Sequence, residues 1–194
     1  LKIGLSQNIK ERKVRIILNE KTNETVKKIH LLTTRLCSRK CPNCCNILYT
    51  DDIVPFVSDE ELKKCNELFL TGGEPFQFTN PNEIAKWFKN HYKNIKKVIV
   101  YSNTTELKDY LIQNGKIDNL DGISLSIKNK KDAEDFELFV ARHPEVNKLK
   151  YNRLYVFNNL LSEDSNTNSF KRYDRMWQSL EEYRPAPDSI FRRM

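Results

Sequence analysis

Short β-rich runs and amphipathic helical runs take turns along most of this chain, and that alternation limits its fold more than any other feature. Strands are expected over Val26–Thr33, Asn66–Leu70, Lys97–Tyr101, Gly122–Ile127 and Arg153–Phe157. Between them, helices are expected from Ser58-Asp59-Glu60-Glu61, over Pro81–Tyr92, over Thr105–Asn114 with Gly115 closing it, and over Lys131–Arg142; a last helix is expected over Phe170–Tyr183. Strands separated by helices of this length form right-handed βαβ units around a parallel sheet, with the functional loops after the strands. Five such units are too few to close a barrel, so the expected fold is α/β: a partial, open (β/α) TIM-like barrel with a mainly parallel sheet. Val14–Leu18, the polar stretch 19–24 and the first core strand read as an N-terminal hairpin. The whole of residues 1–194 is read as one domain: an extension and edge strand over 1–25, the partial barrel over 26–183 and a basic C-terminal tail over 184–194, where Pro185 and Pro187 bar a helix.

Composition excludes several classes. The 194 residues, 39% of them hydrophobic, suit one domain with its own core. No apolar run is long enough to cross a membrane and the first residues lack a basic-then-apolar signal pattern, so a cytoplasmic protein with no membrane partner is expected. The formal charge of +7 favours anionic partners. The lysines are nevertheless spread through helices and turns, which fits a solvated surface, and no aromatic-interleaved basic motif of an RNA-binding sheet is present.

Three of the five cysteines, Cys37, Cys41 and Cys44, fall within eight residues just after the first core strand. Thiolates are soft ligands for zinc and for iron-sulfur clusters, and a C-x3-C-x2-C loop can wrap one inorganic core. Three protein ligands leave one metal position open, whereas a structural zinc site needs four. The alternative is a zinc-stabilised nucleic-acid-binding module, with Cys45, Cys65 or one of His30, His91 and His143 as fourth ligand. Cys45 adjoins Cys44, Cys65 reads as a buried small hydrophobe, and the histidines are scattered.

About thirty residues on, Thr71-Gly72-Gly73-Glu74-Pro75 follows the apolar run ending at Leu70, at a strand's C-terminal end. Glycines permit unusual backbone angles and close approach to a ligand, and Glu74 offers a carboxylate to an ammonium group; an ordinary Gly-Gly turn is the alternative. With both motifs in this order, the chain resembles the radical S-adenosylmethionine (radical SAM) superfamily. The resemblance implies that Cys37, Cys41 and Cys44 bind three irons of a 4Fe-4S cluster, that the fourth iron binds the amino and carboxylate groups of S-adenosylmethionine, and that reduction yields a 5'-deoxyadenosyl radical for hydrogen abstraction. It also implies an external electron donor such as a flavodoxin or ferredoxin. Cys41-Pro42-Asn43-Cys44-Cys45-Asn46 is further similar to the small activating enzymes of glycyl-radical proteins. It departs from them in having Cys45 in place of a histidine, and Asn43 where an aromatic residue is common. Ile47, Leu48 or Tyr49 are the candidates for packing adenine, with Tyr49 equally suited to packing beneath the loop. The substrate is left open between a glycyl-radical partner protein, a nucleotide or nucleic acid, and a peptide, and no second catalytic residue is assigned.

Other candidates follow from position. Gly72, Gly73 and Glu74 are expected to hold the methionine end of the cofactor. Ser102 and Asn103, ending the third strand, and Ser124 and Ser126, on one face of the fourth, are expected to contact the remainder. Ser102-Asn103-Thr104 reads equally as a helix cap. Lys128 shares the face of Ser124 and Ser126 and suits a carboxylate or phosphate. Asn158 and Asn159, ending the fifth strand, read as turn formers or else as substrate contacts. The polar run 162–169 reads as a lid over the substrate or as a solvated connector.

Overall fold

The computed structural model describes residues 27–114, 116–180, 182–183 and 188–194. Among the described residues there are seven strands: β1 Lys28–Thr34, β2 Glu67–Gly72, β3 Lys97–Ser102, β4 Gly122–Ile127, β5 Arg153–Phe157, β6 Lys171–Arg175 and β7 Ser189–Arg193. They form one sheet in the order β6-β5-β4-β3-β2-β1-β7, every neighbouring pair parallel, and the sheet does not close on itself. The helices are α1 Asp59–Lys64, α2 Pro75–Phe78, α3 Pro81–His91, α4 Thr104–Asn114 and α5 Lys130–Arg142, with 3-10 turns at Cys45–Leu48 and Val146–Lys148.

Local chemistry explains the helix starts. Ser58 and Glu61 form a reciprocal capping box at α1, satisfying two backbone N–H groups that a helix start otherwise leaves unpaired. Asn80 caps α3 ahead of Pro81, whose missing N–H costs nothing in the first turn. Asn129 caps α5 by accepting from the Asp132 N–H at 2.8 Å.

Helices α1, α3, α4 and α5 pack Leu62, Ala85, Phe88, Leu107, Leu111, Phe136 and Phe139 against one face of the sheet, which contributes Ile29, Leu31, Leu68, Leu70, Val98, Val100, Ile123, Leu125, Leu154 and Val156. Burying a side chain of this size stabilises the fold by about 1.5–3 kcal/mol each. A second, smaller cluster of Leu32, Leu48, Tyr49, Val54 and Phe191 covers the opposite face near β1 and β7. Over β4, β5 and β6 no helix among the described residues packs on that opposite face, which is called the open face below.

The open, parallel α/β architecture agrees with the expectation, and four expected features differ or lie elsewhere. Val14–Leu18 and the turn at 19–24 lie outside the described residues, so the described sheet holds no part of the hairpin before β1. The expected helix over Phe170–Tyr183 is instead β6 followed by irregular chain. Phe170, Tyr173 and Trp177 recur at helical spacing, but backbone pairing of residues 171–175 with β5 takes them to different places. Phe170 enters the core against Phe136, Tyr173 stacks on Tyr155, and Trp177 lies on Phe157. The C-terminal tail is in part a strand, since Ser189–Arg193 pairs with Lys28–Leu32 and makes β1 an interior strand.

The run 162–169 is the crossover between β5 and β6. Two parallel neighbours require the chain to return from the top of one strand to the foot of the next. Ser165 Oγ donates to Glu137 Oε1 of α5 at 3.1 Å, and Ser169 Oγ receives the Asn152 amide at 2.9 Å near the foot of β5. It therefore runs down the helix-covered side, as a connector rather than a lid.

Candidate functional site

Because all seven strands point the same way, their C-terminal ends form one rim. The cysteine loop leaves β1 there, Gly72-Gly73-Glu74 ends β2, Ser102-Asn103 ends β3 and Lys128 follows β4. Sequence-distant candidates are thus brought to one edge of the sheet, where open α/β folds bind their ligands.

The cysteine loop is tied down by side chains that its motif does not advertise. Arg39 Nη1 and Nη2 donate to the Asp132 carboxylate at 2.8 and 2.6 Å, and Nη2 also reaches Asn103 Oδ1 at 2.9 Å and Thr105 Oγ1 at 3.2 Å. Asp132 is 0% exposed, so this bidentate pair is a buried one. Ser38 adds two bonds of 3.1 Å, from its N–H to Gln77 Oε1 and from its hydroxyl to Glu106. Arg35 binds the Tyr49 carbonyl and Asp51. The loop is therefore fixed to α2, α4 and α5.

Cys37, Cys41 and Cys44 are free thiols, exposed or half-buried. Partial desolvation, then the negative charge of Glu74 and of the other two thiols, pushes the Cys37 thiol above its ordinary range. A bound cationic centre would reverse that shift. Among the described residues no three His, Cys, Asp or Glu side chains converge on a point that would hold one metal ion. A cluster asks for less convergence, because each cysteine binds a different iron. Three unpaired thiols on one anchored loop match the donor set of a 4Fe-4S cluster with one free iron. Asn43, between the second and third cysteines, has φ +53°, a left-handed angle that asparagine adopts more readily than an aromatic residue.

The candidates for a fourth ligand lie elsewhere. Cys65 is fully buried at the foot of β2, opposite the rim, where its Sγ donates to the Glu67 carbonyl at 3.2 Å; burial pushes its thiol up to about 12. Cys45 is turned into the smaller cluster beside Tyr183. The His30 ring is stacked between Phe69 and Phe191, with centroids at 4.8 and 4.6 Å. His91 stacks on Trp87, and His143 pairs with Glu145.

Gly72 and Gly73 are required by backbone packing. Gly72 has φ +119°, and a Cβ there would sit 2.2 Å from the Thr34 carbonyl oxygen; a Cβ on Gly73 would sit 1.9 Å from that of Leu36. The Gly73 and Glu74 N–H groups donate to these two carbonyls at 2.7 and 2.8 Å. The Asn46 amide also bonds the Gly72 carbonyl. The close approach that the glycines allow is thus to the start of the cysteine loop, locking the two motifs together.

Glu74 links three of the candidates. Its Oε1 accepts from Ser102 Oγ at 2.7 Å and from Phe76 N at 3.3 Å, while Oε2 accepts from Asn103 Nδ2 at 2.7 Å and Asn103 N at 3.3 Å. It is 3% exposed, and burial outweighs these bonds, pushing its pKa up to about 7. Asn103 also caps α4 through Oδ1, which accepts from the Glu106 N–H at 3.1 Å, as its cap reading expects.

Ser124 and Ser126 lie on the open face, paired in register with Arg153 and Tyr155. Ser124 is 0% exposed and its hydroxyl has no hydrogen-bond partner; the Tyr101 and Tyr155 rings approach to 6.4 Å across its strand. Ser126 is half-buried. Tyr49 packs beneath the loop, 4.2 Å from Phe191, with its hydroxyl 2.7 Å from that of Tyr183, and Leu48 is buried, which leaves Ile47 exposed on this loop. Asn158 and Asn159 have φ +49° and +55°, as turn formers do.

Sequence reasoning missed Arg39, Arg153 and Trp177, whose partners lie on other strands and helices. The only local signal was an arginine inside the cysteine loop itself. No family model matches the sequence, and no curated protein matches it either.

Proposed function

We propose that this chain is a radical SAM enzyme, with Cys37, Cys41 and Cys44 holding a 4Fe-4S cluster and the rim formed by Gly72, Gly73, Glu74, Ser102 and Asn103 holding S-adenosylmethionine. The observation that carries this reading is the joining of the two motifs: the free-thiol loop and the Gly-Gly-Glu turn are hydrogen-bonded to each other at the C-terminal edge of an open parallel sheet. A 4Fe-4S cluster held there would supply one-electron reducing chemistry toward the sulfonium of bound S-adenosylmethionine.

The chain's own residues bind and orient. Arg39 and Ser38 hold the cysteine loop against α2, α4 and α5, which fixes where the thiols point. Glu74 already receives four donors, which fill its acceptor sites. It therefore acts on an ammonium group by charge and by positioning Ser102 and Asn103, and a bound ammonium would lower its pKa from about 7. A substrate would approach along the face of β4–β6 that no described helix covers. The reductant is an external one-electron donor such as a flavodoxin or ferredoxin.

Anaerobic reconstitution with iron and sulfide tests the reading. The expected result is a brown protein with about four irons per chain that forms 5'-deoxyadenosine from S-adenosylmethionine under reductant. A colourless protein that takes up stoichiometric zinc and leaves S-adenosylmethionine intact would replace it with a zinc-stabilised module.

A further inference from the structure

Lys128 and Arg153 stand apart from the other half-buried cations of this chain. Every other half-buried Lys or Arg among the described residues ends on a carboxylate, as Arg39 does on Asp132, Lys97 on Glu67 and Arg192 on Glu61. Lys128 and Arg153 have no carboxylate partner among those residues, and both lie on the open face. A partly desolvated cation without a counter-ion is costly, so a bound anion would be favoured beside these two.

Their surroundings favour negative charge as well. Arg153 lies 5.4 Å above the Phe69 ring and beside the phenols of Tyr101 and Tyr155, with Lys171 opposite it in register on β6. The Tyr101, Tyr155 and Tyr173 rings stand nearly parallel to their neighbours, at 6.4 and 5.3 Å. Two further cations stand over this row, Lys171 5.4 Å from the Tyr173 ring and Arg175 5.7 Å from the Tyr155 ring, which adds positive charge along the same face. The small side chain of Ser124 is what lets Tyr101 and Tyr155 meet across β4. Lys128 lies by the rim, 6.0 and 5.9 Å from the Phe157 and Trp177 rings. Arg153 opens β5 and Phe157 closes it, so the two are about 13 Å apart along the strand, the length of a small metabolite.

The geometry points to a small organic anion as the occupant of this face, its carboxylate or phosphate seated on Arg153 and its body lying along the aromatic row toward Lys128 and Trp177. This deepens, and as to reaction rests on, the radical SAM reading, in which an acidic group anchored at the foot of the sheet leaves the far end of the substrate at the rim. Binding itself does not depend on that reading.

Calorimetric titration of the full chain, with and without cluster, tests the inference using phenyl phosphate and benzoate as probes and uncharged benzamide as control. At low salt either anion should bind at least about tenfold more tightly than benzamide, the worth of one charge-assisted hydrogen bond. Arg153→Gln should remove that preference. Arg172→Gln, which alters the opposite face of β6, should leave it intact. Equal affinity for benzamide and both anions, or equal effects of the two substitutions, would overturn the inference. So would tight binding of a thymidine oligonucleotide with no affinity for phenyl phosphate, which would indicate a polymer instead. If Arg153→Gln fails to fold, the probe series on the unaltered chain decides. Anion binding by a chain that neither loads iron nor cleaves S-adenosylmethionine would uphold this site and sink the proposed reaction; the converse would sink only the site.

Discussion

Glu74 and His30 are buried titratable residues whose shifts oppose each other over the same pH range. Glu74 keeps its proton in the folded chain up to about 7 against 4.5 when unfolded. Its contribution is therefore complete below 4.5 and is lost as the pH rises through 7. His30, walled in by Phe69 and Phe191, is lowered to about 4 from 6.5, chiefly by burial and then by the charge of Arg153. It contributes above 6.5, and that contribution is lost as the pH falls through 4. Each shift corresponds to about 3 kcal/mol at the extreme of its range. In urea titrations of the metal-free chain, His30→Phe should retain at pH 4.5 stability that the parent has lost, and Glu74→Gln should flatten the decline between pH 4.5 and 7. Parallel pH profiles for variant and parent would contradict the assignment. The thiols divide in a similar way: alanine at Cys37, Cys41 or Cys44 should abolish iron loading. Cys65→Ala, far from the rim, should keep iron and cost about 1 kcal/mol, and Cys45→Ala should keep iron too, as read from iron content and melting temperature.

At the scale of elements, the contact between the exits of β1 and β2 is the joint on which the proposed site depends. Gly73→Ala would drive a methyl group into the Leu36 carbonyl, so the exits must separate; a loss of about 2 kcal/mol or more is expected, with reduced iron retention. Unchanged urea midpoint and iron content would show that the joint can yield. Arg39→Ala would strand the buried Asp132 carboxylate, at a cost of about 3–5 kcal/mol. Arg39→Lys keeps the charge but not the bidentate fork, and should recover only part of the loss in thermal denaturation. Period and caps made β2 to β5 and α3 to α5 legible, because alternating burial and Ser/Asn caps are local properties. The segment 170–183 was not legible: its aromatic spacing suits a helix, and only the free edge of β5 makes a strand the better choice.

For the whole molecule, the addition of β7 at the β1 edge of the sheet carries the strongest consequence. β7 lies against β1, Phe191 covers Tyr49 and His30, and Arg192 donates to Glu61 of α1 at 2.6 and 2.8 Å. Removing residues 188–194 would expose the edge of β1 and open the smaller core cluster, so aggregation or loss of cooperative unfolding is expected. A truncated chain that stays monodisperse by size-exclusion chromatography and melts as before would contradict this role. The sequence by itself determined the parallel α/β class, most element positions, the cysteine triplet and the Gly-Gly-Glu turn, because each depends on residues a few positions apart. Only the tertiary structure decided that Arg39 anchors the loop through Asp132, that Glu74 is saturated by Ser102, Asn103 and the Phe76 N–H, that a cationic aromatic row lines the open face, and that residues 189–193 form a strand beside β1. Each of those depends on contacts between residues far apart in the chain, which register and burial select and local pattern does not encode.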